Sequence, residues 1–137
     1  LLLVWRQEFS VSYATLGLAV ALMSGTTALL QTPVGFLVDR HGARPFLVGG
    51  TLLMALSVAA MAFAPTFWVI LPLAILSGIG NSVIHPADYA ILAGSVSKSF
   101  MGRAFALHTF TGNVGFALGP VVMGVLLEVV GVSWRTA

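Results

Sequence analysis

The sequence predicts an all-α protein, a polytopic membrane helical bundle with four complete transmembrane helices, and three observations carry that prediction. Of 137 residues, 58% are hydrophobic and only 7% charged, and the mean hydropathy is +1.03. A water-soluble domain devotes about a quarter of its residues to charged side chains, so the solvent of this chain is largely lipid. Apolar runs long enough to cross a hydrocarbon core of about 30 Å occur four times, over about 12–38, 44–64, 67–93 and 102–130. The few charges gather between those runs, notably at 39–43 and 94–101, which read as the loops on one side of the bilayer. Six bases and four acids form no basic cluster, which excludes a nucleic-acid partner. Cysteine is absent, so disulfides and thiolate metal sites are excluded.

Taken in order, the chain opens on Trp5-Arg6-Gln7-Glu8-Phe9-Ser10, a polar patch whose aromatics suit a membrane interface. Ser10 or Ser12 is placed to cap the helix that follows. The first span repeats small residues at helical spacing, Gly17, Ala21, Gly25, Ala28, Thr32 and Gly35, a stripe that lets another backbone come close. Pro45 then falls in the first turn of the second span, where its missing N–H costs nothing. The chargeless Ala64-Pro65-Thr66-Phe67-Trp68 connector leads to a third span with a polar interior: Gly78, Gly80, Asn81, Ser82, His85, Pro86 and Asp88. A fourth span, rich in glycine, runs from Gly102-Arg103 to Glu128. The first residues look like the tail of an interrupted apolar segment and the last like the start of another, so the chain reads as a piece of a larger membrane protein. Arg40, Arg44, Lys98 and Arg103 share one side, against Arg6 and Arg135 on the other, which puts the 39–43 and 94–101 loops in the cytoplasm.

The stretch Gly35-Phe-Leu-Val-Asp39-Arg40-His41-Gly42-Ala43-Arg44-Pro45 concentrates charge and turn residues between two apolar runs. Asp39 ends a helix, where a negative charge opposes the helix dipole, so it needs an outside partner: Arg40, Arg44 or another helix's N-terminus. Gly42 permits the positive φ of a tight reversal, and Gly35 leaves room for a neighbouring helix. A charge cluster between helices can be made and broken as they rock; the plainer alternative is an ordinary positive-inside turn. In the fourth span, Gly115-x-x-x-Gly119-Pro120-x-x-x-Gly124 flattens one helix face, and Pro120 removes a backbone hydrogen bond in mid-membrane. Plain small-residue packing is the alternative there.

Gly35-x-Leu37-x-Asp39-Arg40-x-Gly42-x-Arg44 resembles the signature between the second and third helices of the major facilitator superfamily. The glycine-proline string in the fourth span resembles that family's fifth-helix signature, commonest in proton-driven antiporters. The resemblance covers the whole chain, which would be helices two to five of a six-helix N-terminal half. His85-Pro86 and Asn113-x-Gly115-x-x-x-Gly119-Pro120 are similar to the fosmidomycin-resistance-like branch. The resemblance implies the bacterial inner membrane and a gate latch in which Asp39 engages a helix of the C-terminal half, a partner outside this chain. It also implies a small-molecule substrate bound near the bilayer midplane and alternating access, with proton-coupled efflux first. Proton-coupled uptake of an organic anion or sugar, or a non-transporting membrane module, stay open. The family pattern is not met everywhere: Ala43 replaces the first of two bases after Gly42, and Ala74 stands where an Arg often precedes Gly-x-Gly. Asp88 lies deeper than the usual acid near Gly94.

His85 and Asp88, three residues apart, share a helix face inside a span, where charge marks function by default. A His beside an acid binds and releases protons near neutral pH, which makes the pair a candidate proton relay or substrate contact. Alternatively, Asp88 reaches the interface or the hinge arginines, and His85 bonds a carbonyl freed by Pro86. Asn81, Ser82, Gln31, His108, Thr111 and Asn113 either line a substrate path or tie helices together. No catalytic constellation, metal-ligand cluster or phosphate loop is present, so neither an enzyme nor a metal or other cofactor is implied.

Overall fold

A computed structural model describes residues 2–136, which fall into two units, 2–91 and 92–136. The described residues are helical from end to end: α1 (Leu2–Phe9), α2 (Tyr13–His41), α3 (Ala43–Met61), α4 (Phe67–Ser82), α5 (Ile84–Ser95), α6 (Met101–Gly124) and a π-helical turn, Val125–Val129. Four segments are long and apolar enough to cross a membrane: Tyr13–His41, Ala43–Met61, Phe67–Ser95 and Met101–Val129. They are the four predicted spans, with ends shifted by a few residues.

In the unit 2–91, Ser12 is the residue that caps α2. Its backbone is extended and its hydroxyl accepts from the Thr15 N–H at 3.1 Å. Ser10 instead takes a left-handed φ of 51° at the bend between α1 and α2. The N-terminal aromatics pack on the start of α4. Trp5 and Phe9 meet the Phe67 ring edge-on, with centroids 6.4 and 6.2 Å apart, and Trp5 and Phe67 are both buried. Trp68, next along, is exposed.

The core of this unit is α4, held between α2 and α3, which barely touch each other. Two glycines explain how. On a helix of about 3.6 residues per turn, positions two apart point about 200° apart, so Gly78 and Gly80 serve opposite neighbours. A Cβ on Gly78 would lie 2.5 Å from the Met23 carbonyl oxygen of α2. One on Gly80 would lie 2.6 Å from the Gly50 oxygen of α3, and one on Gly50 2.8 Å from the Gly80 oxygen. Close packing therefore comes from the glycines of α3 and α4. The stripe predicted on α2 does not make it. Gly17, Ala21, Gly25 and Ala28 are exposed, and α2 buries Leu16, Ala19 and Val38 instead.

The third span is not one continuous helix. Pro86 has no N–H for the Ser82 carbonyl, and its ring crowds that carbonyl. The chain yields at Val83, whose N–H reaches back only three residues to Gly80 at 3.4 Å, and α5 restarts at Ile84. In the unit 92–136, α6 runs through Pro120 and then widens into the π-helical turn, closed by the Val130 N–H on the Val125 oxygen at 3.0 Å.

Candidate functional site

The predicted loop 39–43 is almost entirely helix. Asp39, Arg40 and His41 continue α2, Ala43 opens α3, and Gly42 alone is non-helical, with φ 90° and ψ 147°. Its N–H closes α2 on the Val38 oxygen at 2.8 Å. One residue suffices because glycine enters a region of backbone space nearly closed to other residues, and Pro45 lies within the first turn of α3. His41, to which the sequence reading gave no role, finishes the α2 end: its Nδ1–H donates to the Leu37 oxygen at 3.1 Å, and its ring lies 6.2 Å from that of Phe46. A His in the last turn of a helix is the available signal.

Beneath the reversal is an apolar seat. Val38 is buried against Val83 and Ala87, with Phe46, Leu47 and Ala90 around them. The neighbour that Gly35 was expected to admit is α5, at ordinary contact: a Cβ on Gly35 would lie 4.0 Å from Pro86 Cβ. The expected Asp39–Arg44 pair is not formed. Asp39, Arg40 and Arg44 are exposed, and among the described residues no ion pair joins Asp39 to Arg40 or Arg44. The one-residue turn sends Asp39 and Arg44 off the ends of two separate helices, so neither is steered onto the other.

The structure does not bring His85 and Asp88 together either. His85 is exposed and its ring tilts over Tyr89, with centroids 5.8 Å apart, while Asp88 is half-buried. Among the described residues His85 bonds neither Asp88 nor the carbonyl that Pro86 frees. The ring of Tyr89, one turn on along α5, takes the place of the expected acid.

Asn81 does tie helices. Its Nδ2 donates to Thr27 Oγ1 at 3.3 Å, and Thr27 Oγ1 donates to the Gly78 oxygen across the α2–α4 contact at 3.1 Å and to Met23 at 2.9 Å. Beside this link is a cavity of about 180 Å³ lined by Met23, Ser24, Thr27, Ala28, Gln31 and Asn81. Sequence reasoning named Asn81 and Gln31 but missed Ser24 and Thr27; hydroxyls are common in membrane helices and usually bond their own backbone, as Ser82 does to Ile79 at 2.7 Å.

In α6, Gly115, Gly119, Pro120 and Asn113 are exposed and Gly124 is half-exposed. Nothing described lies within 4 Å of a Cβ built at any of these glycines. Among the described residues no three His, Asp or Glu side chains gather to hold a metal ion.

These features define a polytopic helical membrane protein with a charged one-residue reversal between its first two spans and a polar cleft between the first span and the third. The profile of the Major Facilitator Superfamily matches residues 1–137, and the chain belongs to that family. It is similar to the multidrug resistance protein MdtH of Cronobacter sakazakii (strain ATCC BAA-894), 33% identical over 123 residues, covering 87% of this chain and 30% of that protein. It resembles the multi-drug resistance efflux pump PmrA homolog of Lactococcus lactis subsp. lactis (strain IL1403), 31% identical over 117 residues, 85% of this chain and 29% of the pump. The fosmidomycin resistance protein of Escherichia coli (strain K12) is 29% identical over 132 residues, 94% of this chain and 32% of that protein. The chain thus spans about 30% of the length of the curated relatives it matches. No solved structure matches it.

Proposed function

We propose that these residues are helices two to five of a secondary active exporter of small molecules, working by alternating access in the bacterial inner membrane with the Gly42 turn in the cytoplasm. The observation that carries this is the hinge: exposed Asp39, Arg40 and Arg44 around a one-residue reversal whose apolar underside is clamped on α5. A turn with no slack makes α2 and α3 move together, and the Val38–Val83–Ala87 seat makes α5 move with them. A rigid group that ends in unpaired charge suits a half that rocks against another half around a midplane site. The relatives are named as resistance proteins and efflux pumps, which supports export over uptake. We assign proton coupling to His85 and Asp88, the imidazole and the carboxylate inside the third span.

The test is export of a fluorescent dye from cells expressing the full-length protein, with and without a protonophore. Export that stops when the proton gradient is collapsed is expected; dye accumulation driven by the gradient would reverse the direction, and no gradient-dependent flux would remove the transporter reading. In the same assay, His85→Ala is expected to shift the pH dependence of export. An unchanged profile takes His85 out of the coupling.

A further inference from the structure

We propose that the cavity between α2 and α4 is a subsite that takes an uncharged hydrogen-bonding group, a hydroxyl or amide, of the exported molecule. This rests on the exporter reading above and gives it an address.

Depth comes first. Thr27 has fourteen helical residues on each side within Tyr13–His41, and Asn81 has fourteen on each side within the span Phe67–Ser95. The Asn81–Thr27 hydrogen bond therefore joins the midpoints of two spans. Ser24 and Gln31, three and four residues from Thr27, lie within about 6 Å of that level along the helix. So the cavity lies at mid-membrane, where an unsatisfied polar group has no water to turn to.

Satisfaction comes second. The Thr27 hydroxyl has its one proton shared between the Gly78 and Met23 oxygens, and it accepts from Asn81. The rest of the lining is less engaged. Asn81 uses one amide hydrogen, and among the described residues Gln31 and Ser24 hydrogen-bond no other residue through their side chains. The Gln31 amide, the Ser24 hydroxyl and the Asn81 carbonyl thus line one cavity with donors and acceptors to spare. The tie between α2 and α4 explains Thr27 and half of Asn81 but does not use Gln31 or Ser24.

Chemistry comes third. None of the six lining residues ionises, so a charged group would find no counter-charge there, whereas a neutral donor–acceptor group is matched on both counts. Met23 and Ala28 supply apolar wall. At about 180 Å³ the cavity is smaller than the sites of roughly 300 Å³ and more that hold whole drug-sized ligands, so it takes part of a molecule.

The experiment uses the full-length transporter in inside-out vesicles and two probes: chloramphenicol, neutral with hydroxyl and amide groups, and tetraphenylphosphonium, which has no hydrogen-bonding atom. Gln31→Leu leaves the Thr27–Asn81 link in place. It is expected to raise the half-saturating chloramphenicol concentration about tenfold, as loss of one or two buried hydrogen bonds does, and to leave tetraphenylphosphonium within about twofold. Equal effects on both probes, or none on either, overturn the proposal. A second readout is independent of transport. Gln31→Cys is expected to react with a membrane-impermeant thiol reagent and to be protected by chloramphenicol, with Leu29→Cys as the unreactive control. No reaction above that control, or reaction without protection, overturns the subsite whatever the vesicles export. Reaction with protection but no export of either probe keeps the subsite and removes the exporter reading.

Discussion

At the scale of single residues, the glycines divide into those that hold the bundle and those with space around them. Gly78 belongs to the first group, because the atom in the way of a Cβ, at 2.5 Å, is a backbone oxygen that cannot swing aside. Gly78→Ala should force α2 and α4 apart and lower stability by about 1–3 kcal/mol, the usual range for overpacking. Gly35→Ala, whose Cβ would meet Pro86 at an ordinary 4.0 Å, should leave stability within about 0.5 kcal/mol. Thermal melting of the purified full-length protein in detergent separates the two, and a comparable loss for both would contradict the contact geometry. Gly42, Asp39 and Arg44 were legible in the sequence because turn glycines and charges stand out against an apolar background. Thr27 was not: nothing in one sequence says which mid-span hydroxyl crosses to a neighbour and which bonds its own helix.

At the scale of elements, the spans were legible from length and hydropathy, since lipid requires every crossing segment to satisfy its own backbone. The interruptions were less so. Pro33 and Pro72 lie inside unbroken helices, while Pro86 divides α4 from α5. The three share one chemistry, so the difference comes from surroundings. On either side of Pro86, Val83 and Ala87 pack onto Val38. Pro86→Ala would give the Ser82 carbonyl an N–H partner four residues on. If the break exists only because the proline forbids continuity, stability should rise by about 0.5–1.5 kcal/mol, the net yield of one hydrogen bond. Protection of the new residue-86 amide in hydrogen exchange would confirm a continuous helix. A fall in stability would mean that the seat under the hinge is fitted to the broken geometry.

At the scale of the molecule, the question is what the exposed hinge charges act on. The sequence places them by the glycine turn and the positive-inside asymmetry, and the structure shows that the nearby bases do not neutralise Asp39. A carboxylate at the C-terminal end of α2 sits against the negative pole of that helix. Within residues 2–91 the charge therefore offers no gain in stability, and its removal should cost none. Asp39→Asn is expected to melt within about 0.5 kcal/mol of the parent, or slightly above it through relief of the dipole clash. Under the gate reading, the same substitution should slow export several-fold, because the partner it loses lies on a part of the protein that meets the hinge in only one of the two transport states. The measurement pairs a melting curve with an initial export rate on the same preparation. Loss of both together would make Asp39 a structural residue of its own half, and loss of neither would make the hinge an ordinary positively flanked turn. Arg44→Gln serves as the companion. Since Asp39 and Arg44 are not paired here, the effects of the two substitutions on export should add as free energies. A coupling above about 0.5 kcal/mol would show that the two charges meet in the other transport state.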